Sequence, residues 1–599
     1  MLRLGRASLV VFYQPRVPVS SRPSFSSCQS TVFTTTRSPL HRALSTMTAP
    51  QDDLFNYTSG RWVYNDALRH KERKVTFDVD GLCRLAAESV NKRLTDVVSL
   101  SKLAEGGFNR AFVITLRGGR QMVARVPYPV TVPDYYAVAS EVATIEYLRS
   151  CGIPAPEVYG YSADSNNAAG SSYILMDFVQ GSKLSDVWPS LSDQDVISII
   201  HQLTQLESQM MSLSFPAGGS LYFTRDLEKV SPGLGIQLED KRFCVGPDTK
   251  LALWYGRRTQ LDVNRGPCIS ISVSSLIRPR TKLAIIDHSA EEALAAVAHK
   301  EIAYLKRFGQ PLLPLRRERR PSYKFEPQSP SGHIENLERY LSITSSLVPR
   351  DPALSRFCIR HPDLQPNNVF VSWSPDSGCK VVSLFDFQHT SILPMFLLAG
   401  IPQRFQNHAD SVSRSMTPPS RPEDIDEFSE AKRAGEEYRY RCRLVHYHYV
   451  TSTEKFNHLH FTAFMDPLYA LRGRLFLHAG GPWEGETSEL KVGLIQATKE
   501  WEKLTGGGVL CPLKFDAKDL HETTVLVEEL GKASRGFELL QSMRGVGEEG
   551  WVPSEDYESA VAFFKGWKEK GLAEAESAKE REEIMEHWPW DDMYEELYM

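Results

Sequence analysis

The chain has 599 residues, enough for two or more packed lobes, and its 42% hydrophobic and 24% charged residues are an ordinary balance for a globular enzyme. A formal net charge of −5 argues against a nucleic-acid binder, because an acidic surface repels a phosphate backbone. Nine cysteines are dispersed with no CxxC pair, which reads as reduced thiols serving as small core residues and excludes a clustered zinc site.

From Met1 to Gln51 there is no Asp or Glu, while Arg3, Arg6, Arg16, Arg22, Arg37 and Arg42 lie among many Ser and Thr. That composition predicts a mitochondrial presequence over residues 1–50. Met47 offers a downstream start without it. No stretch has the length and apolarity of a transmembrane helix; Ile392 to Ile401 is too short, is broken by Pro394, and reads as a buried segment.

After an N-terminal extension (51–96), residues 97–180 alternate and turn like antiparallel strands. Val98 to Leu103 leads into Glu105-Gly106-Gly107-Phe108-Asn109, a second strand runs from Ala111 to Leu116, and Arg117-Gly118-Gly119-Arg120 predicts a hairpin turn into Gln121 to Val126. Val142, Ile145 and Leu148 have helical spacing, and Ser172 to Val179 reads as a buried strand. The simplest fit is a small antiparallel lobe with one main helix.

Residues 181–570 change to helical character. Ser192 is a candidate N-cap with Asp195 behind it, and Val196, Ile199, Ile200, Leu203, Leu206, Met210 and Met211 mark one apolar face. Further helical patterns cover Glu291 to Arg307, Pro422 to Thr451 and Thr487 to Lys503, and residues 571–599 read as an acidic helical tail. Ile269 to His288 is β-rich and interrupts a helical region, so 268–290 reads as an insertion. Pro311 to Lys324 carries Arg316, Arg317, Arg319, Arg320 and Lys324, expected as a solvated basic loop, or else as a lure for an anionic substrate or membrane surface.

The chemistry-bearing stretch is His361-Pro362-Asp363-Leu364-Gln365-Pro366-Asn367-Asn368, then a strand, a turn near Ser374 to Gly378, and a second strand ending in Phe385-Asp386-Phe387. An Asp followed five residues later by an Asn at the mouth of a hairpin, with a second Asp where the hairpin returns, suits phosphoryl transfer. Asn368 and Asp386 could share a divalent cation through oxygen, and Asp363 could accept the proton of an attacking hydroxyl. His361 reads as a brace for this loop and not as a base.

This stretch resembles the catalytic and metal-binding loops of the aminoglycoside phosphotransferase and choline-kinase branch of the kinase-like superfamily, H-G-D-L-x-x-x-N followed by I-D-W/F, with Pro362 replacing the usual Gly. The resemblance implies an α+β fold of the bilobal protein-kinase-like type, with a small antiparallel N-lobe and a large, mostly helical C-lobe. It implies Asp363 as catalytic base and Asn368 and Asp386 as Mg²⁺ ligands. LAEGGFNR, with Gly106, Gly107, Phe108 and Asn109, is similar to the family's nucleotide loop. Arg125 stands where the family presents a Lys to the ATP phosphates, Glu141 matches the helix Glu that pairs with that cation, and Met176, Asp177 and Phe178 match the adenine-holding hinge. The resemblance therefore implies an ATP- and Mg²⁺-dependent kinase acting on a hydroxyl or amine of a small molecule or lipid head group. Arg125 keeps the charge but not the compact ammonium, which leaves a nucleotide-binding scaffold as the alternative. Oligomeric state is not legible in the sequence.

Overall fold

The computed structural model describes residues 54–267, 282–374, 378–547 and 549–599. The presequence expected over 1–50 lies outside them, as does most of the expected insertion.

Alternation with period two builds the small lobe. Strands β1 (Val97–Glu105), β2 (Asn109–Leu116), β3 (Gln121–Pro127), β4 (Val158–Ser162) and β5 (Tyr173–Asp177) form one antiparallel sheet in the order β1-β2-β3-β5-β4. The β2–β3 turn uses Gly118 and Gly119 at φ of 91° and 83°, backbone that glycine adopts freely. Along β3, Met122, Ala124 and Val126 are buried in a core with Trp62, Phe77 and Leu82 of the N-terminal extension. Val123 and Arg125 point to the opposite face, against helix α1 (Asp134–Ser150) and the cleft between the lobes. Sheet register thus decides that Arg125 faces the site.

Helix α2 (Asp193–Ser212) starts as its sequence predicts, with Ser192 Oγ accepting from Asp195 N–H at 3.1 Å. Its buried face, with Ile199, Ile200, Leu203 and Met210, shares a core with α4 (Glu430–Phe456) and with the catalytic-loop strands. A second core joins α3 (Lys282–Phe308), α5 (Tyr469–Gly480) and α6 (Ser488–Lys499) through Leu294, Ala298, Leu475, Ala479 and Leu494. Helix α3 corrects one expectation: residues 282–288, read as β-rich, are the first turns of a helix whose apolar pattern was evident only from residue 291. Ile392, Met395 and Phe396 are buried, as that short apolar run predicts.

The basic segment is a second correction. Arg317, Arg319 and Arg320 are buried, not solvated. Arg317 donates to the carbonyls of Trp588 and Asp592, each at 2.6 Å; Arg319 pairs with Glu486 at 3.0 Å; Arg320 donates to Pro314 O at 2.9 Å. Arg317, and Arg320 through Tyr598 Oη at 3.3 Å, anchor the C-terminal segment, and Arg319 is held by Glu486, so these three buried arginines are no lure. Of the expected helical tail, residues 571–574 finish the helix Tyr557–Glu574, Ala578–His587 forms a second helix, and Glu595–Tyr598 a single 3-10 turn. Beyond His587, Trp590, Glu595 and Tyr598 are buried against the body of the protein.

Candidate active site

The loop that carries Asp363 leaves the buried strand Phe357–Ile359, which pairs with Ile392–Pro394. Arg360 fixes its root, donating to Glu207 Oε1 at 2.7 Å and to the carbonyls of Leu398 (2.7 Å) and Gly400 (2.8 Å). His361 is a brace. Its Nε2 lies 2.8 Å from Phe385 O, and its Nδ1 accepts from the Asp363 N–H at 3.1 Å. That pair of bonds sets the neutral tautomer with hydrogen on Nε2. Burial pushes the imidazole down to about 4.

Asp363 lies at the tip of the loop. Gln365 Nε2 donates to its Oδ2, and Asn368 Nδ2 donates to both Oδ2 (3.1 Å) and the Asp363 main-chain oxygen (2.8 Å). Burial raises the Asp363 pKa above the ordinary carboxylate value; the bond from Gln365 works against this and the nearby charge of Asp386 adds to it. With Nδ2 committed to Asp363, Asn368 keeps Oδ1 as its possible ligand atom.

The hairpin Val369–Ser374 with Gly378–Leu384 then returns the chain, with Val369 paired to Leu384. Phe385 N–H donates to Asn368 O at 2.9 Å, so Asp386 emerges beside Asn368. Asp386 sits at φ of 66° and His389 at 59°, a conformation that costs free energy for residues other than glycine and collects at functional sites.

Across the cleft, Arg125 joins four groups. Its Nη1 pairs with Glu141, and its Nη2 donates to Asp386 Oδ1 at 2.6 Å and to Gln388 Oε1 at 3.1 Å. The Asn109 amide lies 2.6 Å from Nη2 and 3.1 Å from Nε, and it also meets the Gln388 amide at 2.6 Å. Burial works against the Arg125 charge, but Glu141 and Asp386 outweigh it and hold its pKa above the usual value. Burial lifts the Glu141 carboxyl to about 7 against the pull of Arg125. Asp363, Asn368, Asp386, Arg125, Glu141 and Asn109 are thus drawn into one cluster.

Gly106 and Gly107 form the turn between β1 and β2, closed by Gly106 N–H to Asn109 O at 2.8 Å. The Phe108 ring packs edge-on to His389, with centroids 5.5 Å apart. Met176 is buried at the end of β5; the Asp177 N–H donates to Glu157 O at 2.8 Å, and its carboxylate accepts from Tyr159 at 2.9 Å. Phe178 follows, half-buried. The hinge position of Met176, Asp177 and Phe178 stays apart from the Arg125 cluster, at the other end of the strand pairing.

Two participants escaped the sequence reading. Gln365 and Gln388 both lie inside the motif stretches, but a neutral amide carries no signal of its own until coordinates supply a partner. The donor set suits a hard divalent cation: Asn368 Oδ1 and the 44%-exposed Asp386 carboxylate supply oxygen only. Among the described residues no group of three or more His, Cys, Asp or Glu side chains could hold a metal. A cation here would therefore complete its shell with phosphate oxygens and water, as Mg²⁺ commonly does.

A five-stranded antiparallel lobe with one main helix, joined to a helical lobe carrying D-x-x-x-x-N and a hairpin-borne Asp, defines a bilobal kinase-like phosphotransferase fold. Residues 99–244 match the phosphotransferase enzyme family (APH). A subtelomeric hrmA-associated cluster protein of Aspergillus fumigatus is 30% identical over 512 residues, covering 82% of this chain and 96% of that one. The mitochondrial altered inheritance of mitochondria protein 9 of Saccharomyces cerevisiae is 22% identical over 587 residues, covering 85% and 88%. Among solved structures, the streptomycin-ATP ternary complex of APH(2'')-IIa covers 72% of this chain and 99% of its own, at 11% identity and a TM-score of 0.31. The chain belongs to the phosphotransferase enzyme family.

Proposed function

We propose that this protein is an ATP- and Mg²⁺-dependent kinase that transfers the γ-phosphate to a hydroxyl or amine of a small molecule or lipid head group in mitochondria. The observation that carries this reading is the Phe385–Asn368 backbone bond, which sets Asp386 beside Asn368 while Asn368 holds Asp363. Asp363 takes the proton of the attacking group. Its pKa, raised by burial, brings it nearer to that of an effective base while its hydrogen bonds keep it oriented. Asn368 and Asp386 would hold the cation, which supplies charge neutralisation on the phosphates. Arg125 and the Gly106-Gly107 loop would orient the phosphates, and the backbone around Met176 to Phe178 the adenine.

The mitochondrial assignment is supported by the composition of residues 1–50 and by the name of the yeast relative. The test is Mg²⁺-dependent loss of the ATP γ-phosphate from purified protein beside Asp363→Asn and Asp386→Ala. The expected result is slow turnover that each change lowers by at least about 100-fold. A second reading, a nucleotide-binding scaffold without transfer, is favoured by one observation: Arg125 pairs directly with Asp386. ATP binding without turnover in the same assay would establish that reading instead.

A further inference from the structure

Arg125 is engaged in a way that a lysine at its position could not reproduce. A guanidinium presents separate nitrogens in a planar fork, whereas an ammonium is a single point charge. Here the fork is divided: Nη1 goes to Glu141 on the small-lobe helix, and Nη2 to Asp386 on the large lobe at 2.6 Å. The remaining geometry holds it in that position. Gln388 lies 3.1 Å from Nη2, and the Asn109 amide lies 2.6 Å from Nη2 and 3.1 Å from Nε. The Arg125 side chain is only 13% exposed and Glu141 3%, so water screens that pair weakly, while the 44%-exposed Asp386 carboxylate is the partner open to exchange. The oxygen of Asp386 that Arg125 occupies belongs to the carboxylate a divalent cation would use.

We propose that Arg125 is an internal latch on the cation site, competing with the divalent cation for Asp386, so that cation and nucleotide phosphates bind tightly only together. The inference rests on the reading of Asp386 as a cation ligand given above. The phosphates supply what the latch needs to open: they offer the guanidinium bidentate acceptors in place of Asp386, and the freed carboxylate then meets the cation that those same phosphates carry. Asn109, on the nucleotide loop, takes part in the exchange because it shares Nη2 with Asp386. The substitution of Arg for Lys thereby becomes a specificity device: the site rejects the free cation and accepts the cation–nucleotide pair. Linkage makes the effect reciprocal, so ADP must tighten the cation by the same factor as the cation tightens ADP.

The experiment is a Mn²⁺ titration followed by electron paramagnetic resonance of the free ion, with and without ADP, on the full chain and on Arg125→Lys. A lysine can stay near Glu141 without also bridging to Asp386. Without ADP, R125K is expected to bind Mn²⁺ about tenfold tighter than wild type or better, the least that loss of a close competing charge should yield. The enhancement of Mn²⁺ binding by ADP is expected to shrink by the same factor. If R125K does not fold, as judged by circular dichroism, Arg125→Gln removes the competing charge at similar stem length and carries the same expectation. Asp386→Asn identifies the site. The latch alone is overturned if R125K or R125Q binds Mn²⁺ as wild type does while D386N still abolishes binding with ADP. If D386N leaves Mn²⁺ binding unchanged, the cation-site reading beneath it is overturned as well.

Discussion

At the scale of single residues, the catalytic loop is tuned by neutral partners. Gln365 donates to Asp363 and stabilises its charged form, against the burial that raises its pKa. Replacing Gln365 by Leu removes that donor, so the Asp363 pKa rises further and the acid limb of the pH–rate profile moves to higher pH. A limb that stays in place would show that another group sets it. His361 acts on stability. Burial holds it neutral with a pKa of about 4, below the ordinary value of about 6.5. A base depressed in the fold binds its proton more readily when unfolded. Its contribution is therefore complete above about pH 6.5 and is lost as pH falls towards 4. The loss amounts to about 3 kcal/mol over that window. His333, buried and likewise near 4, adds to the same trend. Thermal stability should fall steadily from pH 6.5 to 4, with a shallower pH slope in His361→Gln despite its lower stability at pH 7.

At the scale of elements, the joint between the lobes turns on Gly181. It sits at φ of 148°, and a Cβ there would lie 2.7 Å from Val371 O on the catalytic hairpin. Gly181→Ala should cost about 1–3 kcal/mol through backbone strain and displacement of the hairpin. Urea unfolding reads the loss, and an unchanged midpoint would mean that residue 181 and the hairpin can move apart without cost. Local pattern made much of this level legible. Period-two alternation and the Gly118-Gly119 pair marked the small sheet, Ser192 and Asp195 marked the start of α2, and the spacing from Asp363 to Asn368 marked a loop in which the two side chains meet. The first turns of α3 were not legible, because Ile285 and Ile286 carry β propensity and helical spacing shows in the sequence only from Glu291. The pairing of Arg125 with Asp386 was hidden for another reason: 261 residues separate them, and no local pattern reports a contact at that range.

At the scale of the molecule, the two ends of the described chain clasp each other and the nucleotide loop. Strand Gly60–Trp62 pairs with Trp551–Pro553. Arg69 donates to Glu595 at 2.7 and 2.6 Å, and Asn65 to the same carboxylate at 2.6 Å. On the other side, Glu105, just before Gly106, accepts from the N–H groups of Thr58 and Ser59 at 2.8 Å each, and Arg110, just after the loop, donates to Leu54 O at 2.8 Å. The extension and tail therefore form a buttress for the loop that would hold phosphates. Arg317, whose partners lie 271 and 275 residues away, and Arg320, which reaches Tyr598 278 residues away, belong to this clasp, and contacts at that range leave no mark in local composition. Trp590 is its keystone, stacked at 3.8 Å on Phe564 and 4.6 Å on Phe537. Trp590→Ala should weaken docking of the tail by about 3–5 kcal/mol. Limited proteolysis would then cut beyond residue 587 first; a wild-type cleavage pattern would refute the clasp.

The proposed reaction divides its labour between two acids, Asp363 for the proton and Asp386 for the cation. Calorimetric titration of Mg²⁺-ATP into wild type, Asp363→Asn and Asp386→Ala tests it most directly. Asp363→Asn should bind Mg²⁺-ATP within a few-fold of wild type, and Asp386→Ala should lose at least about tenfold in affinity. Equal loss in both variants, or no loss in Asp386→Ala, would contradict the assignment.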